Sequence, residues 1–533
     1  MIELLHTALL TLLVSMYLAC SVALGLYGLN CYVMVALFRR RQARQRAEDE
    51  RVLRGFATDR CDGDWPVITT QLPVYNEKYV VERVIRAVCA FDYPRARHEI
   101  QVLDDSTDET SEIVARLAVE LREAGHDVVH LRRKERTGFK AGALQAGTAV
   151  ARGEHLAIFD ADFVPAPDFL RKTVPFLVED ERCAFVQTRW GHRNRDYSLL
   201  TRSQAIGIDG HFVVEQSARA WNGLFLNFNG TAGIWRKRAI EDAGGWSADT
   251  ITEDLALSYR AQLRGWRGRF LFDVVTPAEI PTDINDFKAQ QFRWAKGSIQ
   301  TARQLLPEVL RRPDLPLFVK AQAVLHLTHY LVHPLILAMT LLILPLLSFG
   351  QRVLVPELMV PALAVMVVSM AAPSSLYVFS QKVAYPGWRG RLMCLPALVV
   401  IGIGLAVNNS RGVFSALASR EPGEFVRTPK LGSHAERRSA RPATSSYSSP
   451  LSSGSLLELA LGLWAATAVA VYLAQFKLVV GPVLLLHAVG FLSVGTWSIV
   501  HHARSRRRAR RPASAGARHE QPDLAASAGD VAA

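Results

Sequence analysis

Apolar residues are distributed along this chain in two regimes. Long blocks occupy residues 9–38, 324–349, 353–377, 392–407, 456–476 and 479–500, and only short apolar runs lie between 51 and 310. A helix needs about 20 apolar residues to cross a bilayer core, so the long blocks predict membrane spans and the middle predicts a domain outside the membrane. Within it, residues 66–73 form a β-type run stopped by a proline. Residues 100–103 and 155–159 read as short buried strands, and Val80, Val84, Ile85 and Val88 recur at helical spacing. Alternating strand and helix predicts an α/β fold with a mostly parallel sheet, joined to a helical transmembrane bundle.

The block at 392–407 is treated differently. It is the shortest, and it ends in Asn408-Asn409. Counting it as a crossing would put the basic stretch 420–441 outside. It is therefore expected to be a re-entrant or interfacial helix, leaving about five crossings. The expected segments are a transmembrane helix at 1–38, a cytoplasmic domain at 51–310, and interfacial helices with two spans at 311–419. A loop at 420–438, a flexible Ser/Pro/Ala-rich linker at 439–455, two spans at 456–500 and a basic, disordered tail at 501–533 follow.

Charge refines orientation. The net charge is +13 over 533 residues, and much of the excess sits beside apolar blocks, in Arg39-Arg40-Arg41 with Arg44 and Arg46, and in 504–511. Such flanks mark the cytoplasmic side and touch anionic lipid. No nucleic-acid motif accompanies them, so the bilayer, and not nucleic acid, is the expected partner. The first block is too long for a cleaved signal peptide and lacks a basic leader. The six cysteines show neither disulfide nor metal spacing.

The chemistry lies at strand ends. Asp104-Asp105 closes one strand and Asp160-Ala-Asp162 another, and parallel α/β sheets bind ligands beyond their carboxyl edges. Residues i and i+2 in extended chain share a face, so Asp160 and Asp162 can address one hard cation, Mg2+ or Mn2+, bridging a diphosphate. Alone, such a pair is also an ordinary turn. Thr252-Glu253-Asp254 precedes a helical run, either as a helix start with favourable first-turn acids or as the source of a general base. Gln290-x-x-Arg293-Trp294 offers a cation for a departing diphosphate and a flat indole for a sugar, or else a core tryptophan and a surface ion pair. His211 and Glu215, at helical spacing, read as a cleft-lining helix in preference to metal ligands.

In order, "QLPVYNE", "VLDDSTDET", "KAGAL", "FDADF", "FNGTAG", "AGGW", "TED" and "QQFRW" run through 71–300. This set resembles the processive family-2 glycosyltransferases, whose nucleotide-sugar-binding domain is of the A type. It is most similar to cellulose synthase-like enzymes such as plant mannan and glucan synthases, and also to bacterial cellulose synthase. The resemblance implies that Tyr75, Glu77, Asp104 and Asp105 hold the nucleoside. Lys140 would approach the diphosphate, and Asp160 and Asp162 the nucleotide and metal. Asn229, Gly230 and Thr231 would line the acceptor end. Asp254 would be the base, with Glu253 beside it, and Gln290, Arg293 and Trp294 would contact diphosphate and acceptor sugar. "FVRTPK" at 425–430 resembles a gating loop, with Thr428 and Lys430 nearest the diphosphate. The chain departs from bacterial cellulose synthase in having one span before the domain, no cysteine in the acceptor motif and no cyclic-dinucleotide-binding region.

The resemblance implies an inverting hexosyltransferase in the cell membrane. Glucose or mannose would pass from UDP-glucose or GDP-mannose to a growing β-linked glycan acceptor at the cytoplasmic face, coupled to export. The alternative is single addition to a membrane lipid, since ceramide glucosyltransferases carry a similar Gln-x-x-Arg-Trp. A transporter or scaffold with a degenerate domain would lack catalytic residues that are all present here.

Overall fold

Seven strands form one sheet: β1 (Ile68–Val74), β2 (His98–Asp104), β3 (Asp127–Arg132), β4 (His155–Ile158), β5 (Cys183–His192), β6 (Gly233–Arg236) and β7 (Arg267–Ala278). The computed structural model describes residues 1–58, 64–349, 356–419, 421, 423, 430, 451, 454–474 and 481–509. The strand order is β3-β2-β1-β4-β6-β5-β7. Pairings are parallel except at β6, which runs antiparallel to both β4 and β5. β2 is buried along its whole length, as expected for a strand covered by helices on both faces.

Two consequences place the site. Because β6 is reversed, its amino end meets the carboxyl end of β4, which brings 229–231 beside Asp160. In addition, β1 runs through Pro73 to Val74, where a stop at the proline was expected. The pairing with β4 ends at Gln71, so the missing Pro73 N–H breaks no ladder bond on that side.

The amino-terminal helix runs unbroken over Ile2–Thr58, 57 residues or about 86 Å, and so continues past residue 38, where the expected span ends. No proline interrupts it and no glycine follows Gly28 until Gly55, so the basic stretch continues the helix and docks on the sheet domain. Asp49 pairs with Arg269 at 2.7 Å, Arg46 with Asp273 at 3.1 Å, and Val52 enters the core beneath β1.

Among the described residues, four helical stretches are long and apolar enough to cross a membrane: Glu3–Phe56, His329–Ser348, Ser455–Ala474 and Gly481–Arg504. The helix Pro356–Ala384 packs along the amino-terminal one. The 392–407 block is not one helix. Trp388–Gly404 and Ala406–Ala418 bend by 43° at Leu405, and Ala406–Ala418 packs against the helix Ile284–Arg311, hereafter the QFRW helix.

Candidate active site

The acidic residues gather at one edge of the sheet, around Lys140. This lysine lies at the start of the helix Phe139–Val150. Its Nζ donates to Asp160 Oδ1 at 2.5 Å and to the Gly230 carbonyl at 2.9 Å. Gly230 has φ +75°, and a Cβ there would stand 2.9 Å from Asp254 Oδ2 and 3.3 Å from Lys140 Nζ. Only glycine fits this position without displacing the carboxylate. Lys140, Asp160, Gly230 and Asp254 therefore share one small volume. Glu253 and Lys140 line the adjoining cavity of about 160 Å³.

Burial sets the electrostatics. Asp254 is pushed up to about 6 and Glu253 to about 7. Loss of solvation is the main cause, and Lys140 draws both back. Burial works against the Lys140 charge, but Asp160, Glu253 and Asp254 outweigh it and hold its pKa above the ordinary lysine value. Arg293 is drawn down to about 10 by burial, against the pull of Asp160 and Glu253, so it remains cationic at neutral pH. Gln290 Oε1 is buried without a hydrogen-bond partner among the described residues. Trp294 packs with Ala295, Tyr330 and Val413 on the side facing the apolar helices.

Asp162 faces a second lysine. Lys430 Nζ donates to Asp162 Oδ2 at 2.6 Å and to the Glu279 carbonyl at 3.2 Å, and Glu77 adds to the negative field around it. Thr428 and residues 425–427 and 429 of the motif lie outside the described residues. Glu421 and Gly423, just before it, rest on the QFRW helix: Gln300 Nε2 donates to the Glu421 carbonyl at 3.0 Å, and a Cβ on Gly423 would stand 2.6 Å from Lys296 Nζ.

The expected nucleoside residues divide. Asp104 is buried and occupied, accepting from Ser106 N, Ser111 Oγ and His130 Nε2 at 2.8, 2.6 and 2.9 Å; it shapes the loop after β2. Asp105 accepts two bonds from Arg133, at 3.0 and 2.5 Å, and the same guanidinium donates to the Thr137 and Phe139 carbonyls. The loop leading into Lys140 is thereby tied to β2. Arg136 stacks 3.4 Å over the Tyr75 ring.

Backbone strain marks the same edge. Among the described residues the non-glycine positions with positive φ are Asn76, Phe139 and Ala232, each inside or beside a site motif, where such strain is held by surrounding bonds. Asn76 is held by Ser106 and Thr107. Around Ala232, Gln187 Nε2 donates to the Thr231 and Ala232 carbonyls, and Gln187 Oε1 accepts from Asn229 N at 2.8 Å. The Thr231 hydroxyl accepts from Asp160 N at 2.8 Å, and the Asn229 side chain meets Gln216 and His211, the latter bonded to Glu215 at 2.9 Å. Sequence reasoning missed Gln187, Arg133 and Gly297. The first had a signal, a glutamine directly after the apolar run Cys183–Val186. Gly297 had none: a Cβ there would stand 2.4 Å from Thr252 Cγ2, so the QFRW helix can approach Thr252 and its two acidic neighbours only as glycine.

Comparison with known proteins gives the family. Residues 66–297 match the model described as "Glycosyltransferase like family 2". Glucomannan 4-beta-mannosyltransferase 1 of Oryza sativa subsp. japonica is 35% identical over 386 residues, 70% of this chain and 71% of its own length. The chain belongs to glycosyltransferase family 2. Within that family it is cellulose synthase-like: glucomannan 4-beta-mannosyltransferase 2 of Arabidopsis thaliana is 35% identical over 69% of this chain and 68% of its own. Among solved structures, the mannosyltransferase PcManGT from Pyrobaculum calidifontis, in complex with GDP-Man and Mn2+, superposes with a TM-score of 0.48 at 20% identity, covering 75% of this chain and 99% of its own. This family-2 glycosyltransferase is a multi-pass membrane protein.

Proposed function

We propose that the enzyme transfers mannosyl units from GDP-mannose, with inversion, to the end of a growing β-1,4-linked glucomannan-type chain. The catalytic domain lies at the cytoplasmic face, and the apolar helices carry the product outward. The observation that carries the reading is the gathering of Asp254 and Lys140 around Gly230, whose Cβ, if present, would stand 2.9 Å from Asp254 Oδ2 and 3.3 Å from Lys140 Nζ; a buried carboxylate of raised pKa thus lies near a cation suited to a diphosphate. The mannosyl assignment rests on the named activity of relatives that align over about two thirds of this chain.

Asp160 and Asp162 fit a hard divalent cation. Both are oxygen donors on one short loop, and each already holds an ammonium group, at 2.5 and 2.6 Å. Mg2+ is usually held by one or two carboxylates plus phosphate oxygens. Bound there, Mg2+ or Mn2+ would neutralise charge on the leaving diphosphate. The chain's own residues do the rest. Asp254 takes the proton of the acceptor hydroxyl as its oxygen bonds to the anomeric carbon and the bond to the diphosphate breaks on the opposite face. Arg293 and Lys140 supply fixed positive charge where negative charge develops. Gln290 offers its unpaired Oε1 to a sugar hydroxyl, and Trp294 leads toward the membrane helices. Asp105 and Tyr75, held by Arg133 and Arg136, frame the nucleoside end.

Incubation of purified enzyme with GDP-mannose, UDP-glucose or UDP-N-acetylglucosamine, with Mg2+ or Mn2+, tests this. Mannose-containing β-1,4 polymer from GDP-mannose is expected; incorporation from UDP-N-acetylglucosamine alone would overturn the donor assignment.

A further inference from the structure

Below the end of its apolar stretch, the amino-terminal helix forms one wall of a recess of about 270 Å³, facing the turn that follows the helix Gln216–Trp221. The lining includes Arg41, Arg44, Gln45, Glu48, Trp221 and Asn222. Arg41 and Arg44 are three to six residues beyond Phe38, about 5–9 Å along the helix axis, which is the depth of lipid head groups in the membrane placement argued above.

The recess is polar, positive and short of partners. Among the described residues neither Arg41 nor Arg44 has a carboxylate partner. Glu48, the acid in the lining, is engaged by Arg269 at 3.4 Å, and Gln45 donates away from it to Asp49 at 3.0 Å. Arg41 Nε and Trp221 Nε1 are both buried donors without an acceptor, and Trp221 is only 8% exposed. A buried N–H without an acceptor is costly, and most such groups find one. Asn222 Nδ2 bonds to the Leu37 and Ala218 carbonyls, at 3.4 and 2.7 Å, and so fixes the turn against the amino-terminal helix. Two arginine side chains lining one cavity beside the Trp221 ring suit a tetrahedral oxyanion with several acceptor atoms.

We propose that this recess binds a phosphate ester, supplied by the head group of an anionic phospholipid on the catalytic-domain side of the membrane. It is separate from the donor cleft and rests on the membrane placement alone. The lipid fills the gap between the amino-terminal helix and the sheet domain and fixes the height of the domain against the bilayer.

Native mass spectrometry of the full-length protein in detergent, titrated with phosphatidylglycerol, phosphatidylcholine or inorganic phosphate, tests it. Selective retention of phosphatidylglycerol is expected, weakened roughly thirtyfold in R41Q/R44Q, about fivefold per arginine removed near a membrane surface. The control R39Q/R40Q, at exposed positions just above the recess, keeps the selectivity. Unchanged donor-dependent transfer in both variants verifies folding. Equal loss in both double variants would mean a diffuse basic field and overturn the site. So would the absence of any preference for phosphatidylglycerol over phosphatidylcholine. Saturable binding of inorganic phosphate without phosphatidylglycerol retention would overturn the lipid as its source.

Discussion

Lys140 and Asp160 form the contact from which the rest of the cleft is organised: the ammonium group donates to Asp160 Oδ1 at 2.5 Å and, through its bond to the Gly230 carbonyl, stays beside Asp254. Asp160 keeps 35% of its side chain exposed and Lys140 16%, so the pair is open to a ligand from one side. On the proposed reading the pair does double duty, as a place for a diphosphate and, through Lys140, as the counter-charge for two more carboxyls nearby.

Asp254→Asn removes the proton acceptor and keeps the shape. The expected result is a fall of about 10²–10⁴-fold in transfer with donor affinity little changed, measured by GDP release and by titration of GDP-mannose binding. Substantial residual polymerisation would move the base role elsewhere.

The pH profile follows from the same carboxyls. The base must be ionised, so the transfer rate should rise with pH through about 6 and level off above about 7. Stability runs the other way. With folded-state values raised, the folded protein binds more protons than the unfolded chain between about pH 4 and the raised values. That contribution is full below the unfolded value and is lost as pH rises through the folded ones. Lys140→Gln, by removing the cation that draws both groups down, should shift the rising limb to higher pH; an unmoved limb would separate it from the titrating group.

Two glycines set distances in the cleft. Gly230→Ala should displace the Asp254 carboxylate, and Gly297→Ala should push the QFRW helix off Thr252. Misplacement of about 1 Å can cost about 10²-fold in rate. Turnover of each variant should fall at least about tenfold while it still binds GDP, compared in one assay.

The QFRW helix is pinned to the apolar helices by a buried ion pair. Lys288 Nζ lies 2.7 Å from Glu458 Oε1, with 2% and 0% of the two side chains exposed, and it also reaches Ser498 Oγ at 3.2 Å. Removing one partner strands a buried charge, so Glu458→Leu should destabilise by about 3–5 kcal/mol. Lys288→Met with Glu458→Leu should recover most of the loss, since no charge is then left unpaired. Thermal unfolding in detergent measures both, and a double variant as weak as Glu458→Leu would contradict the argument.

The strand ends and their carboxylates were legible because a buried parallel strand leaves a short apolar run ending in polar residues, and 100–105 and 155–162 both show it. The direction of β6 was not. Its four residues, Gly233–Arg236, look alike read either way, and only pairing between β4 and β5 decides. The continuation of the first helix past Phe38 was hidden by a rule that treats basic residues as a stop, although Arg, Gln, Ala and Glu all favour helix. Asp104 and Asp105 look equivalent on paper. In the fold one points into a serine and histidine cage and the other toward an arginine. The proposed base was legible as a motif, while the close approach of Gly297 to Thr252, two residues before it, joins distant parts of the chain that carry no mark of meeting.

The most direct test of the central claim is the product made from a single labelled donor. Purified enzyme given GDP-mannose and Mn2+ or Mg2+ should release GDP and build a chain that endo-β-1,4-mannanase degrades, and linkage analysis should return 4-linked mannosyl residues. One sugar attached per lipid, or GDP release without any polymer, would contradict the account.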